Sequence, residues 1–251
     1  MRTRTHTLVV GGTRGIGRAL VKALIAQGGA VSVFARRPPE KKVLRARYWM
    51  VDVTDRRQIL DSLADVVRKR GKLDGLVFFQ RYRGEGDLWQ AEFQTSLTGT
   101  KTIIEGLVPH FQKSGGAIVV VSSVNAEWIS PNLTVGYHVA KAGLNSMVRY
   151  YAVTLGGKNI RVNSVSPGTV LKEESQNFYF KNRGQYKLHS SVVPLGRMGH
   201  ADEVAQVVVF LCSPKSSFVT GQDIVVDGGV SLQWHEVLAG KLKSKQRKIA
   251  R

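Results

Sequence analysis

Short apolar runs alternate along this chain with longer stretches in which apolar residues recur at helical spacing. The runs lie near residues 6–10, 30–35, 47–51, 74–79, 116–122, 160–165 and 223–227. A brief, nearly unbroken apolar run is what a strand buried on both faces requires. In the first intervening stretch, Ile16, Leu20, Ala23, Leu24 and Gln27 fall at helical spacing, as on a helix that buries one face. Strand and helix in strict alternation predict an α/β fold, a doubly wound parallel sheet with helices on both faces. The length of 251 residues suits one large domain with a well-buried sheet, and no internal repeat divides it.

The first run, Leu8-Val9-Val10, leads directly into Gly11-Gly12-Thr13-Arg14-Gly15-Ile16-Gly17, where the helical periodicity begins. Strand, glycine turn and helix in succession make a phosphate cradle of Rossmann type, because glycines let the backbone approach and the free N–H groups of the helix face the anion. A tight turn that binds nothing would use the same glycines; their placement between strand and helix favours a nucleotide. A second pattern lies mid-chain, where Tyr137 and Lys141 are four residues apart and Ser122-Ser123 ends the fifth run. On a helix that spacing puts both side chains on one face. A phenol is a poor acid near neutrality, but an ammonium beside it stabilises the phenolate, and a nearby hydroxyl can hold a carbonyl oxygen. The same spacing also describes a solvated pair or a half-buried tyrosine, so it gains force only from its surroundings.

Taken together these motifs resemble the short-chain dehydrogenase/reductase family, and within it the NADPH-dependent carbonyl and 3-oxoacyl thioester reductases. The resemblance spans about residues 6–229 and rests on Gly11, Gly15 and Gly17, on Asp52-Val53, on Ser123 with Tyr137 and Lys141, on Asn163 through Pro167-Gly168, and on Val219-Thr220-Gly221-Gln222 with Val226-Asp227-Gly228-Gly229. It implies a catalytic domain at 1–229 with a mobile substrate flap at about 170–195, followed by an extension at 230–251. It implies that Tyr137 protonates the reduced carbonyl, that Lys141 supports it and binds the nicotinamide ribose, and that Ser123 polarises the substrate oxygen. The nucleotide would lie against Gly11, Thr13, Arg14, Gly15, Ile16, Gly17, Asp52, Val53, Pro167, Gly168 and Val170. Where an acidic residue would select NAD by holding its ribose hydroxyls, this chain has Ala35-Arg36-Arg37. With Arg14, these guanidinium groups favour the 2′-phosphate of NADP(H); alternatively Arg36 and Arg37 are solvated residues before Pro38-Pro39. The resemblance further implies a cytoplasmic homo-oligomer, tetramer or dimer, joined through the Tyr137 helix and a long helix near 88–113.

Three positions depart from the family pattern. The usual Asn-Asn-Ala-Gly after the fourth strand is Phe78-Phe79-Gln80-Arg81, so Arg81 is accommodated by a shifted loop, intrudes on the site or grips an anion there. The helix Asn that orders a water leading from the Lys is replaced by Ser96, which takes its place as a catalytic relay residue. Lys172 stands where a Thr often meets the nicotinamide amide. Two functions stay open: an active reductase with a retuned pocket, or a catalytically weak nucleotide-binding scaffold or partner subunit.

Charge bears on the substrate. The formal net charge is +19, and removing Lys241, Lys243, Lys245, Arg247, Lys248 and Arg251 still leaves +13. Such a chain attracts anions, which suits a carbonyl substrate that is itself anionic or is carried on coenzyme A or an acidic carrier protein; solubility alone is the plainer explanation. Arg81, Arg83, Trp128 and Phe178 are candidate substrate contacts, with Tyr179, Phe180, Lys181, Arg183 and Lys187 alongside them in the flap. No nucleic-acid module is visible, so no specific nucleic acid is expected. The single cysteine, Cys212, sits in an apolar run and reads as a core thiol, leaving neither a disulfide nor a cysteine metal site, and no metal is expected. Basic Met1 to Thr7 precede an apolar stretch too short for a signal peptide, and no membrane span is expected. In the extension, Leu232, Trp234, Val237 and Leu238 suggest a docked apolar part before a frayed cationic end.

Overall fold

The structure is a computed structural model that describes residues 5–249, with side chains described as far as Leu242. Seven parallel strands form one sheet in the order β3-β2-β1-β4-β5-β6-β9. These are β1 His6–Val10, β2 Ala30–Ala35, β3 Arg47–Met50, β4 Gly75–Phe78, β5 Gly116–Val121, β6 Ile160–Pro167 and β9 Asp223–Val226. They coincide with the seven apolar runs to within two residues at each end. A further parallel pair, β7 Val170–Leu171 with β8 Gly199–His200, lies outside that sheet.

Alternation along the strands explains why the sheet needs cover on both faces. Leu8, Val10, Leu76, Phe78, Ile118 and Val120 point into one core, and Val9, Val77, Val119 and Val121 into the other. The first core is closed by α2 Arg56–Arg70, α4 Gly99–Leu107 and α5 Val135–Gly156 through Ile59, Leu63, Ile103, Leu107 and Leu144. The second is closed by α1 Gly15–Ala26 and α8 Ala201–Cys212 through Leu20, Leu24, Val204 and Val208. Fully burying one such side chain contributes about 1.5–3 kcal/mol relative to leaving it in water. Cys212 packs at the edge of this second core.

The strand order reverses direction beside β1, between β1 and β4, and in open α/β sheets ligands bind outside the carboxyl ends of the strands at such a point. Three features set the walls there. The long helix expected near 88–113 is α3 Leu88–Glu92, a π-helical segment Phe93–Thr98, then α4, ending at Leu107 with a 3₁₀ turn Val108–His110. The expected flap is two helices, α6 Glu173–Lys181 and α7 Arg183–Val192. The extension continues as α9 His235–Ile249, which packs on α7. Its expected apolar docking is largely absent: Leu232, Trp234 and Val237 are exposed, and the join is polar, with Gln233 Nε2 donating to the Val192 carbonyl at 2.5 Å. The basic side chains expected beyond Leu242, from Lys243 to Lys248, and Arg251 lie outside the described residues.

Candidate active site

One cleft of about 1430 Å³ opens at the carboxyl ends of the strands, and both sequence patterns meet in it. Gly11, Thr13, Arg14, Gly15, Ile16, Gly17, Arg36, Arg37, Asp52, Val53, Ser123, Tyr137, Lys141, Pro167 and Gly168 all line it. So do Arg81, Arg83 and Lys172, the residues of two of the departures.

The glycine turn is built as a cradle. A Cβ on Gly17 would stand 2.3 Å from the Gly11 carbonyl oxygen, so only glycine lets α1 start this close to β1. Gly15 has φ +53, and its open side is filled by a carboxylate: a Cβ there would be 3.0 Å from Glu174 Oε1. The first turn of α1 has no acidic residue and no side-chain cap of its own, so its N–H groups and positive dipole end favour an anion from elsewhere. Glu174, on α6, lies against Gly15 of this turn, and the neighbouring Glu173 pairs with Arg18. That pairing holds the Glu173 carboxyl below its usual range. Free N–H groups at a turn this tightly packed on glycine suit the diphosphate of a dinucleotide. At the far end Asp52 Oδ1 accepts from the Thr54 amide (2.9 Å) and hydroxyl (2.7 Å). Neither β2 nor the four residues that follow it, Arg36 to Pro39, include an acidic residue.

The reactive side chains stand on the strand end and helix facing the cradle. Thr134 caps α5 by accepting from the Tyr137 amide at 3.2 Å, which fixes where the helix begins and so where Tyr137 points. Tyr137, Lys141 and Ser123 are 8%, 3% and 7% exposed, so the pair is neither solvated nor half-buried. Lys141 Nζ donates to the Val121 carbonyl at 3.0 Å and lies 5.8 Å from the Tyr137 ring centroid. The Ser123 hydroxyl is held by Asn125, its oxygen accepting from the Asn125 amide at 3.1 Å. His138 braces the same loop, with ring nitrogens 2.8 Å from the Asn125 carbonyl and 3.2 Å from the Ser130 carbonyl. Burial pulls the Lys141 ammonium down to about 8; Glu92 opposes that shift, and Arg81 and Lys172 add to it.

Arg81 enters the site: its guanidinium carbon lies 4.9 Å from the Tyr137 ring centroid. Neither it nor Arg83 has an ion pair among the described residues. Burial against the cleft wall, then Arg14 and Arg81, depress the Arg83 pKa, and burial followed by Arg83 does the same to Lys172. Four cations, Arg14, Arg81, Arg83 and Lys172, thus crowd one region with Glu174 as the acidic group among them.

Nine expected residues are placed off the cleft lining. Val170 is buried in the second core beneath the cleft, because β7 pairs it with Gly199. Trp128 is 54% exposed, its loop turned outward by the Asn125 Nδ2 bond to the Trp128 carbonyl. Phe178 is 55% exposed and meets Tyr179 edge-on, while Tyr179 packs on Tyr186 and His189; Phe180 is exposed too, so the flap aromatics mostly serve the flap. Lys181, Arg183 and Lys187 also lie off the cleft lining, where α6 contributes Glu173, Glu174 and Asn177. Ser96 is fully buried behind the wall, donating to Glu92 Oε1 at 2.5 Å. Glu92, missed in the sequence, had a signal: Glu92, Ser96 and Thr100 recur at four-residue intervals as a polar stripe on an otherwise apolar face.

Residues 10–231 match the family model described as Enoyl-(Acyl carrier protein) reductase. The chain is 35% identical over 243 residues to the 3-oxoacyl-[acyl-carrier-protein] reductase FabG of Thermotoga maritima, covering 89% of this chain and 96% of that one. It is 30% identical to the isoepoxydon dehydrogenase patN of Penicillium expansum, over 90% of this chain and 94% of the relative. Among solved structures, ElxO with NADP bound superposes with a TM-score of 0.83 at 25% identity, covering 92% of this chain and all of that one. A short chain dehydrogenase family protein from Francisella tularensis gives 0.79 at 26%, with the same coverage.

Proposed function

The chain belongs to the short-chain dehydrogenase/reductase family, oxidoreductases that act on a carbinol–carbonyl pair with a nicotinamide cofactor, and from that premise we propose that it is an NADP(H)-dependent reductase of a ketone or 3-oxoacyl thioester. The observation that carries the reading is the convergence of Ser123, Tyr137 and Lys141 with the glycine cradle in one cleft. When bound, the reduced nicotinamide supplies the hydride.

The chain's own residues do the rest. Gly11 through Gly17 hold the diphosphate, Arg14, Arg36 and Arg37 hold the 2′-phosphate, and Asp52 and Val53 face the adenine. Pro167 and Gly168, which line the cleft, would flank the nicotinamide. Ser123, oriented by Asn125, donates to the carbonyl oxygen. Tyr137 gives its phenolic proton to that oxygen as negative charge develops there, and Lys141 stabilises the resulting phenolate. Arg81 and Arg83 meet an anionic part of the substrate, and the net charge of +19 favours a substrate carried on coenzyme A or an acidic carrier. The printed name of the Thermotoga maritima relative supports a 3-oxoacyl thioester. Val139, Tyr150 and Val153 expose apolar surface on α5, which supports a homo-oligomer built on that helix.

A second reading, a nucleotide-binding partner subunit with little catalysis, is favoured by one observation, the Arg81 guanidinium stacked on Tyr137. NADPH oxidation by acetoacetyl-coenzyme A and by a neutral diketone, in the wild type and in Tyr137→Phe, separates the two. The reductase reading expects turnover that falls by about 10²–10⁴ in Tyr137→Phe with NADPH binding intact. Full activity in the variant would sink the assigned mechanism.

A further inference from the structure

Glu92 is a carboxylate in a place where a folded chain pays heavily for charge. It is 4% exposed at the end of α3, and its hydrogen bond is to the fully buried Ser96 hydroxyl. A carboxylate accepts up to four hydrogen bonds, so one hydroxyl leaves most of its capacity unspent, and an ionised group so placed needs an opposite charge nearby. The backbone is irregular at this point: the π-helical segment Phe93–Thr98 begins at the next residue, a distortion that is common at functional sites. The stripe continues to Thr100, which accepts from Gln80 Nε2 at 2.7 Å, in the rewritten loop after β4. Helix α5, which carries Tyr137 and Lys141, packs directly on α3 and on the π segment.

Lys141 is a buried cation on that packed helix, 3% exposed. Its ammonium spends one donor on Val121 and retains two. The charged groups acting on it come from three elements: Glu92 from α3, Arg81 from the loop after β4, and Lys172 from the start of the flap. Glu92 alone favours the ammonium; both other cations oppose it. The two groups make no direct ion pair, so the coupling acts through space in a poorly screened interior.

We infer that Glu92 is a positioning residue for the reaction: its buried charge, anchored by Ser96, keeps Lys141 an ammonium in a site that Arg81 and Lys172 make strongly cationic. The hydroxyl and carboxylate at 96 and 92 together take the place of the single helix Asn that the family resemblance leads one to expect at 96. This rests on Lys141 serving Tyr137, as proposed above, but its test uses no substrate.

The test is an NMR titration of the full chain carrying isotope-labelled lysine, with the Lys141 resonance identified by its loss in Lys141→Arg. The wild type is expected to titrate near 8, and Glu92→Gln, which keeps shape and hydrogen bonding but removes charge, to titrate at least about tenfold more acid. An unchanged or raised midpoint in Glu92→Gln overturns the inference. If that variant does not fold, the labelled Glu92 carboxyl of the wild type decides: it shifts at the Lys141 midpoint, and Lys141→Met removes that inflection. A Glu92 signal indifferent to Lys141 overturns the inference equally. Either failure leaves the reductase assignment standing, whereas full activity in Tyr137→Phe would remove that assignment and leave the Glu92–Lys141 coupling intact.

Discussion

A phenol at the floor of a cleft does acid chemistry only if something beside it carries positive charge, and here two side chains do. Lys141 acts from within the wall and Arg81 from the cleft. Because the Lys141 ammonium dominates below about 8, carbonyl reduction is expected to hold at neutral pH and decline as pH rises through that value, measurable as the basic limb of kcat against pH. Arg81 separates substrates: Arg81→Gln is expected to raise KM for an anionic ketone about tenfold or more and leave a neutral ketone within about twofold, since a charge-assisted contact is lost only for the first. Equal effects on both would mean that Arg81 holds the fold or cofactor instead. Tyr137, Lys141 and Ser123 were legible because helical spacing and a strand end translate directly into geometry. Glu92 was not, since it gains its role from Lys141, a neighbour 49 positions away. Trp128 and Phe178 show the converse, as the facing of a loop or flap residue depends on packing that no local spacing records.

Among the elements, the glycine turn and α6 work against each other. The Glu174 carboxylate lies against Gly15 of the turn proposed to hold the diphosphate, so its negative charge opposes that of the nucleotide. Glu174→Gln removes the competing charge and is expected to tighten NADPH binding, on the order of three- to tenfold, with the helix dipole now uncontested. Weaker binding in calorimetry would show that Glu174 supports the cofactor rather than opposing it. Gly17→Ala has the opposite expectation, near-complete loss of binding, because its Cβ cannot fit 2.3 Å from the Gly11 carbonyl. The seven long strands were readable from their apolar runs, whereas β7 and β8, two residues each, are too short to leave a pattern. The π segment was hidden for a different reason: one extra residue per turn barely disturbs an apolar periodicity.

For the molecule as a whole, charge and burial set the response to solution conditions. His6 is buried in β1, with Nε2 2.9 Å from the Ser32 hydroxyl, and burial lowers its pKa below 6.5. The unfolded chain therefore binds the extra proton first, so this contribution to stability is complete above 6.5 and is lost as pH falls from there through the folded value. Thermal midpoints are expected to drop across that window, and to drop less in His6→Gln. The excess of cations was legible at once, but not its concentration in the cleft, where Arg14, Arg81, Arg83 and Lys172 come from separate parts of the chain. Arg14 belongs to that concentration and, with Arg36 and Arg37, to the proposed 2′-phosphate site, so cofactor choice is the most direct test of the whole reading, by calorimetric titration of the wild type with NADPH and NADH in parallel at low and high salt. We predict tight NADPH binding that weakens with salt, and NADH binding at least about tenfold weaker, the difference expected from a paired phosphate. Binding of neither nucleotide, or equal binding of both, would contradict it.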